Sequence, residues 1–331
     1  MTEFLVLDGT QNERAAWQRD FERRLRDVYL AAGLGAEAAE IRVGKVCERE
    51  KAAEWTVAEI THGGARIGYV AVGVTADHGI SAGRIGDLWV DAAHAGQGHE
   101  QAARAWAEAW CAERGARRIN VRVAGPDGGL FAGYPVEGEV RMRVFDGAPP
   151  SSDHATDRAT GQATDRATGQ AMGQTASRIT ARPMTADEFP GWLAAEKDAY
   201  VFGIVRAGAL SQEEALRKSD KDFAELLPQD LSTPGHALLV LEAAGAPVGA
   251  AWLHHGHLPG VTYGFSLNVD AEHRGKGYGH GAMVVGEQAT RAAGDTALMF
   301  TVWGGNEVAM KLYDSAGYRV LESSRSLPVS S

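Results

Sequence analysis

Cysteine is scarce in this chain: Cys47 and Cys111 are the only two in 331 residues. Neither has Cys or His neighbours at zinc-ligand spacing, which excludes a disulfide framework and predicts no metal centre. Two isolated thiols suit a reducing compartment, so a cytoplasmic location is expected. Long apolar runs are also missing. No stretch approaches the roughly 18 apolar residues that a membrane-spanning helix needs, so no membrane partner is expected. The opening Met1-Thr2-Glu3-Phe4-Leu5 has no positive segment followed by an apolar run, and it does not read as a signal peptide. Blocks of Lys and Arg are lacking too. The formal net charge is −10, and residues 178–331 hold 13 Lys and Arg against 18 Asp and Glu. Neither half is basic, which speaks against a nucleic-acid surface. What remains is an ordinary globular composition, 44 % hydrophobic and 23 % charged, long enough for two domains.

Large apolar side chains almost vanish between Gly147 and Ser177, where an eight-residue unit, Ala155 to Gln162, repeats as Ala163 to Gln170. Such a segment cannot offset its ordering entropy by burial, so residues 147–177 read as a flexible linker between domains 1–146 and 178–331. A second repeat joins the two domains in kind. Val90-Asp-Ala-Ala-His-Ala-Gly-Gln-Gly98 recurs as Val269-Asp-Ala-Glu-His-Arg-Gly-Lys-Gly277. Each copy follows an apolar, strand-like run and precedes an Ala-rich helix and another strand. Matching order as well as matching residues points to duplication.

In the second half, residues 178–182 read as a strand and 185–227 as helical, interrupted near Gly208. Ser211 and Glu214 are spaced for a capping box. Strands follow at 237–241 and 248–254, joined by a turn at 242–247, and then at 261–269. A Gly-rich loop leads to a helix over 281–293, a strand over 297–303 and a helix over 307–315. Gly317 ends that helix, and a last strand over 318–321 closes the domain. The pattern predicts an α/β fold with a mixed sheet and helices on both faces.

The loop after Val269 carries the chemistry: Arg274-Gly275-Lys276-Gly277-Tyr278-Gly279. A strand, a glycine turn and a helix start together present unpaired backbone N–H groups to an anion. Glycine allows close approach, and Arg274 and Lys276 add charge. A Walker loop is excluded because no Gly-Lys-Ser/Thr ending is present. A dinucleotide fold is disfavoured because the acid expected about 20 residues on is missing and the loop lies far from the first strand. Downstream, Asn306 is a good helix cap, Ala309, Leu312 and Tyr313 share one helical face, and Gly317 suits the end.

These two motifs together resemble the GNAT superfamily of acyl-CoA N-acyltransferases: Arg274-x-x-Gly277-x-Gly279 after a strand, then Asn306-x-x-Ala309-x-x-Leu312-Tyr313 with a Gly317-Tyr318 ending. The resemblance covers residues 178–325 and reaches the first half only through the repeat. It implies two tandem GNAT-like domains, with acetyl-CoA as acyl donor, no metal, and a primary amine of a small molecule or peptide as acceptor. By that resemblance Val269 gives main-chain contacts to the pantetheine arm. Residues 274–279 and Asn306 belong to the cofactor site, and Tyr313 is the acid for the departing thiolate. His254, His255, His257 and Tyr263 are open candidates for the base, and residues 189–223, with Trp192 and Tyr200, for the acceptor wall. A non-catalytic acyl-CoA-binding or scaffolding protein is the alternative, against which Tyr313 weighs.

The first copy has lost the parts that matter. Ala95 stands for Arg274, Gln97 for Lys276 and Glu100 for Gly279. A carboxylate beside a pyrophosphate is repulsive. The Gly- and Pro-rich run 125–134 is unsuited to the final helix, and no tyrosine answers to Tyr313. The first domain is therefore expected to be catalytically silent.

Overall fold

The computed structural model describes residues 1–7, 11–51, 54–77, 80–126, 128–145, 179–206 and 210–329. The proposed linker at 147–177 and the interruption at Gly208 lie outside them. In chain order the elements are β1 (Thr2–Val6), α1 (Gln11–Ala31), α2 (Ala36–Lys51), β2 (Thr56–His62), β3 (Ala65–Asp77), β4 (Ile80–Val90), α3 (His99–Glu113), β5 (Arg118–Ala124) and β6 (Val136–Val144). There follow β7 (Ile179–Pro183), α4 (Phe189–Arg206), α5 (Gln212–Leu226), β8 (His236–Ala243), β9 (Ala246–Leu258), β10 (Val261–Val269), α6 (Tyr278–Ala292), β11 (Ala297–Trp303), α7 (Glu307–Ser315) and β12 (Arg319–Pro328). The chain is a mixed α/β protein with two compact units. The first comprises residues 1–142, 194–226 and 300–331, and the second 143–193 and 227–299.

In the first unit β1 to β4 form an antiparallel meander, and β4 then runs parallel to β5. Strand alternation sorts the side chains. Ala58, Ile60, Val70 and Val72 pack with Ala103, Ala107 and Cys111 of α3, which recur every four residues and so share one helix face. Val57, Tyr69 and Ala71 face the other way, where Trp17 of α1 packs. The α3 helix approaches so closely that a Cβ on Gly83 would lie 2.7 Å from the Cys111 Cβ. Both cysteines are free, and burial pushes the Cys111 thiol up to about 11, so it stays protonated.

In the second unit β7 to β10 are antiparallel neighbours, and α6 packs Ala282 and Val285 onto Leu241, Val248 and Ala251. The Ser211–Glu214 capping box, in the first unit, forms: the Glu214 N–H donates to Ser211 Oγ at 3.3 Å, and the Ser211 N–H donates to the Glu214 carboxylate at 3.0 Å. The turn between β8 and β9 is tighter than the sequence suggests. Ala243 pairs with Ala246, and Ala244 and Gly245 take positive φ of 52° and 80°.

The duplication seen in the sequence is repeated in the backbone. Gly86 is bulged out of β4, and Phe265 out of β10. Short 3-10 turns follow at Ala92–His94 and Ala271–His273. A Cβ on Gly68 would meet the Trp89 carbonyl oxygen at 2.1 Å, and one on Gly249 the Asn268 carbonyl oxygen at 2.0 Å. Two stretches that share the same bulge, turn and crowded glycine are copies of one design.

The last strand differs from the expectation that residues 318–321 close the second half. It runs ten residues, to Pro328, and lies between β5 and β6 in the first unit, antiparallel to both. A buried carboxylate explains the placement. Glu322, 2 % exposed, accepts from Tyr29 Oη at 2.8 Å, from Arg42 Nε at 2.6 Å and from Arg122 Nε at 2.7 Å. Burial alone would raise its pKa, but Arg42 and Arg122 outweigh that and hold it below the ordinary carboxylate value. The folded state therefore gains stability above the unfolded pKa of about 4.3 and loses it as pH falls through the lower folded value. Glu322→Gln should lower stability by about 3–5 kcal/mol in urea denaturation. It should also remove part of the acid-induced loss seen in the parent chain.

Candidate active site

The glycine loop sits in the second unit, between β10 and α6. Gly277 caps α6 in a left-handed conformation, φ 82° and ψ 3°, and Gly275 has φ 76°. No atom crowds either glycine, so backbone conformation rather than space demands them. Such a turn points successive N–H groups to one side, as anion nests do. Arg274 is exposed enough to reach a ligand, and its Nε meanwhile donates to the Val269 carbonyl at 3.1 Å. Lys276 Nζ lies 3.3 Å from His273 Nδ1. One boundary moves: α6 begins at Tyr278, not at 281, so Tyr278 and Gly279 form its first turn. The left-handed Gly277 is itself the cap, and a helix can start directly after it. Gly281 is required by packing, because a Cβ there would lie 2.6 Å from Ile179.

Asn306 and Tyr313 belong to the first unit. The Asn306 side chain accepts from the Ala309 N–H at 3.2 Å and caps α7, as the sequence predicts. Tyr313 is half-buried, with its ring against Phe300 at 4.5 Å and Tyr318 at 6.3 Å. Burial pushes its phenol above the ordinary value, and the Arg141 charge opposes this only in part. Arg141 is tied to Glu139 and Asp314. Tyr200 hydrogen-bonds Asp222 at 2.5 Å and packs on Phe223.

The histidine candidates separate by face, because adjacent strand residues point to opposite sides. His255 is turned away from His254. Thr262 Oγ1 donates its one proton to Asp295 at 2.6 Å, so it must accept from His255 Nδ1–H at 2.9 Å. On the other face Trp252 stacks on Phe265 at 4.4 Å, and Trp192 meets Trp252 edge-on at 5.6 Å. His254, His257 and Tyr263 join this ring cluster. His236, which the sequence reading missed, stacks on His254 at 4.1 Å and accepts from Trp252 Nε1 at 2.8 Å. Burial, with His254 and His255 adding to it, lowers His236 to about 4, so it is neutral at pH 7. Cross-strand pairing of His236 with His254 was the signal, and it is hidden until the register is known.

Among the described residues no helix is long and apolar enough to cross a membrane, and no cluster of His, Cys, Asp and Glu could hold a metal.

Residues 204–318 match the acetyltransferase (GNAT) family model. Over 146 residues the chain is 34 % identical to the uncharacterized N-acetyltransferase YycN of Bacillus subtilis, covering 43 % of this chain and 92 % of YycN. It is 25 % identical over 142 residues to YdgE, another uncharacterized N-acetyltransferase of that organism, covering 42 % of this chain and 90 % of YdgE. A crystal structure of a GCN5-related N-acetyltransferase from Sphaerobacter thermophilus aligns over 99 % of this chain and 95 % of its own at 15 % identity, with a TM-score of 0.49. The strand, glycine turn and helix that the chain carries twice are those of its family, and the protein is a GNAT acyltransferase.

Proposed function

We propose that the chain transfers an acetyl group from acetyl-CoA to a primary amine of a small molecule or peptide, with the C-terminal motifs as its active site. The observation that carries this reading is the loop at the start of α6. Gly275 and Gly277 hold left-handed backbone with Arg274 and Lys276 between and beside them, and these residue types fit a pyrophosphate. Acetyl-CoA supplies the thioester. In this reading Arg274, Lys276 and the N–H groups of the loop hold the diphosphate, and Val269 positions the pantetheine arm.

Direct attack forms the N–C bond and breaks the C–S bond. The attacking amine gives up a proton, and the departing sulfur takes one. Tyr313 is the group assigned to the sulfur, since its raised pKa keeps the phenol protonated at neutral pH. His255, held by Thr262 and Asp295 on the opposite face, is a weaker candidate for the base than His254, His257 or Tyr263, which share the face of Phe265.

Calorimetry should give an acetyl-CoA affinity about ten- to a hundredfold weaker in Arg274→Ala, the range expected for a charge-assisted contact. Unchanged affinity would remove the loop from the site. In Tyr313→Phe, kcat should fall about 10²- to 10⁴-fold while acetyl-CoA affinity holds. The alkaline limb of kcat in the parent chain should lie above the ordinary tyrosine value of about 10.

A further inference from the structure

The ring cluster on β8, β9 and β10 holds three histidines whose nitrogens are not equivalent. His236 is already committed. An indole N–H can only donate, so the bond from Trp252 Nε1 at 2.8 Å fixes His236 Nδ1 as an acceptor. Burial first, and then the nearby histidines, keep that ring neutral at pH 7.

His254 and His257 are arranged differently. Their Nδ1 atoms face each other at 3.3 Å, and the rings meet edge-on with centres 5.2 Å apart. Two facing ring nitrogens bond only when one carries a proton and the other a lone pair. With no added proton the pair meets this condition, one ring donating from Nδ1. With one added proton it meets it again, now through a charge-assisted bond, roughly twice as strong as a neutral one. With two, both nitrogens carry hydrogen and the bond is lost. One added proton is thus the natural load of the pair, and it belongs to both rings.

The pair lies along β10 from the glycine loop. His257 rests on Tyr263 at 4.9 Å, and His254 stacks towards Phe265 at 6.4 Å. Phe265 is the bulged residue, and it precedes Val269 by four positions, roughly 13 Å at the rise of a strand. The α6 helix covers the other face, packing on Ala251, which alternates with Trp252. Among the described residues, the titratable groups around the pair are His236 and Tyr263 on this face and His255 with Asp295 on the reverse.

Resting on the reading of these motifs as an acetyltransferase, we propose that His254 and His257 act together as its base. One ring takes the proton of the amine at Nε2, and the other shares the charge through the Nδ1 contact. The electron pair of the amine forms the N–C bond, the C–S pair leaves with sulfur, and the histidine pair later gives its proton to water. His236, with Nδ1 held by Trp252, takes no part of that proton.

The test has two arms, both on the full-length protein. In NMR spectra of isotope-labelled histidine, recorded against pH and assigned by single substitution, His254 and His257 should protonate in two separate steps, the first moving the signals of both rings. In His254→Asn or His257→Asn the remaining ring should protonate in one step, at lower pH than the first step of the parent. In the second arm, CoA release from acetyl-CoA is followed with 2-phenylethylamine, spermidine and the dipeptide Ala-Ala as acceptors. Each single variant should lower kcat at pH 7 about 10²- to 10⁴-fold, with calorimetric acetyl-CoA affinity unchanged. The double variant should be no slower than the slower single one, as for residues that act as a unit. Thermal melts identify any variant that has lost its fold, and Gln then replaces Asn. Rings that titrate independently, or losses that multiply in the double variant, overturn the pair and leave the acetyltransferase reading standing. No acetyl-CoA binding, or no turnover of any acceptor, overturns that reading and the base with it.

Discussion

The buried carboxylate of Glu322 is the point on which the first unit depends. A charge this deep is tolerable only when its partners are fixed, because desolvation costs several kcal/mol per ion. Its partners come from α1, α2 and β5, all at least 200 residues before it in sequence. Holding them around one group sets the register of β12 between β5 and β6. The same strand lines a cavity of the first unit with Ser324 and Arg325. Arg325 continues the same logic, donating to the Phe131 carbonyl at 3.2 Å.

The two copies of the family unit show how little backbone needs to change for a site to change character. Bulge, 3-10 turn and left-handed glycine are kept at Gly86, Ala92–His94 and Gly98, and again at Phe265, Ala271–His273 and Gly277. Among the positions that differ are Ala95, Gln97 and Glu100, which answer to Arg274, Lys276 and Gly279. Arginine, lysine and glycine in one copy are residue types that suit a diphosphate, while in the other alanine and glutamine carry no charge and glutamate a negative one. Glu100 goes further than removing charge, since its own carboxylate accepts the Gly96 N–H.

Local chemistry was legible before any coordinates. The Asn306 cap, the Ser211–Glu214 box and the glycine turn at 275–277 each depend on residues within four positions of one another. The duplication was legible because it repeats a spacing. The partners of β12 were not, because nothing near residue 322 names Tyr29, Arg42 or Arg122, and only tertiary packing brings them together. His236 was missed for the same reason: its meaning comes from His254 and Trp252 across the sheet. The α6 start shifted because three glycines in a row of six blur where a helix begins.

The position of β12 has a consequence for how the molecule is made. A chain is synthesised from its amino terminus, and most domains fold as they emerge. Here β5 and β6 cannot gain their common neighbour until residue 328 has left the ribosome. Until then both strands keep open edges, and open edges invite pairing with other chains. The first unit to begin translation is therefore the last to be finished.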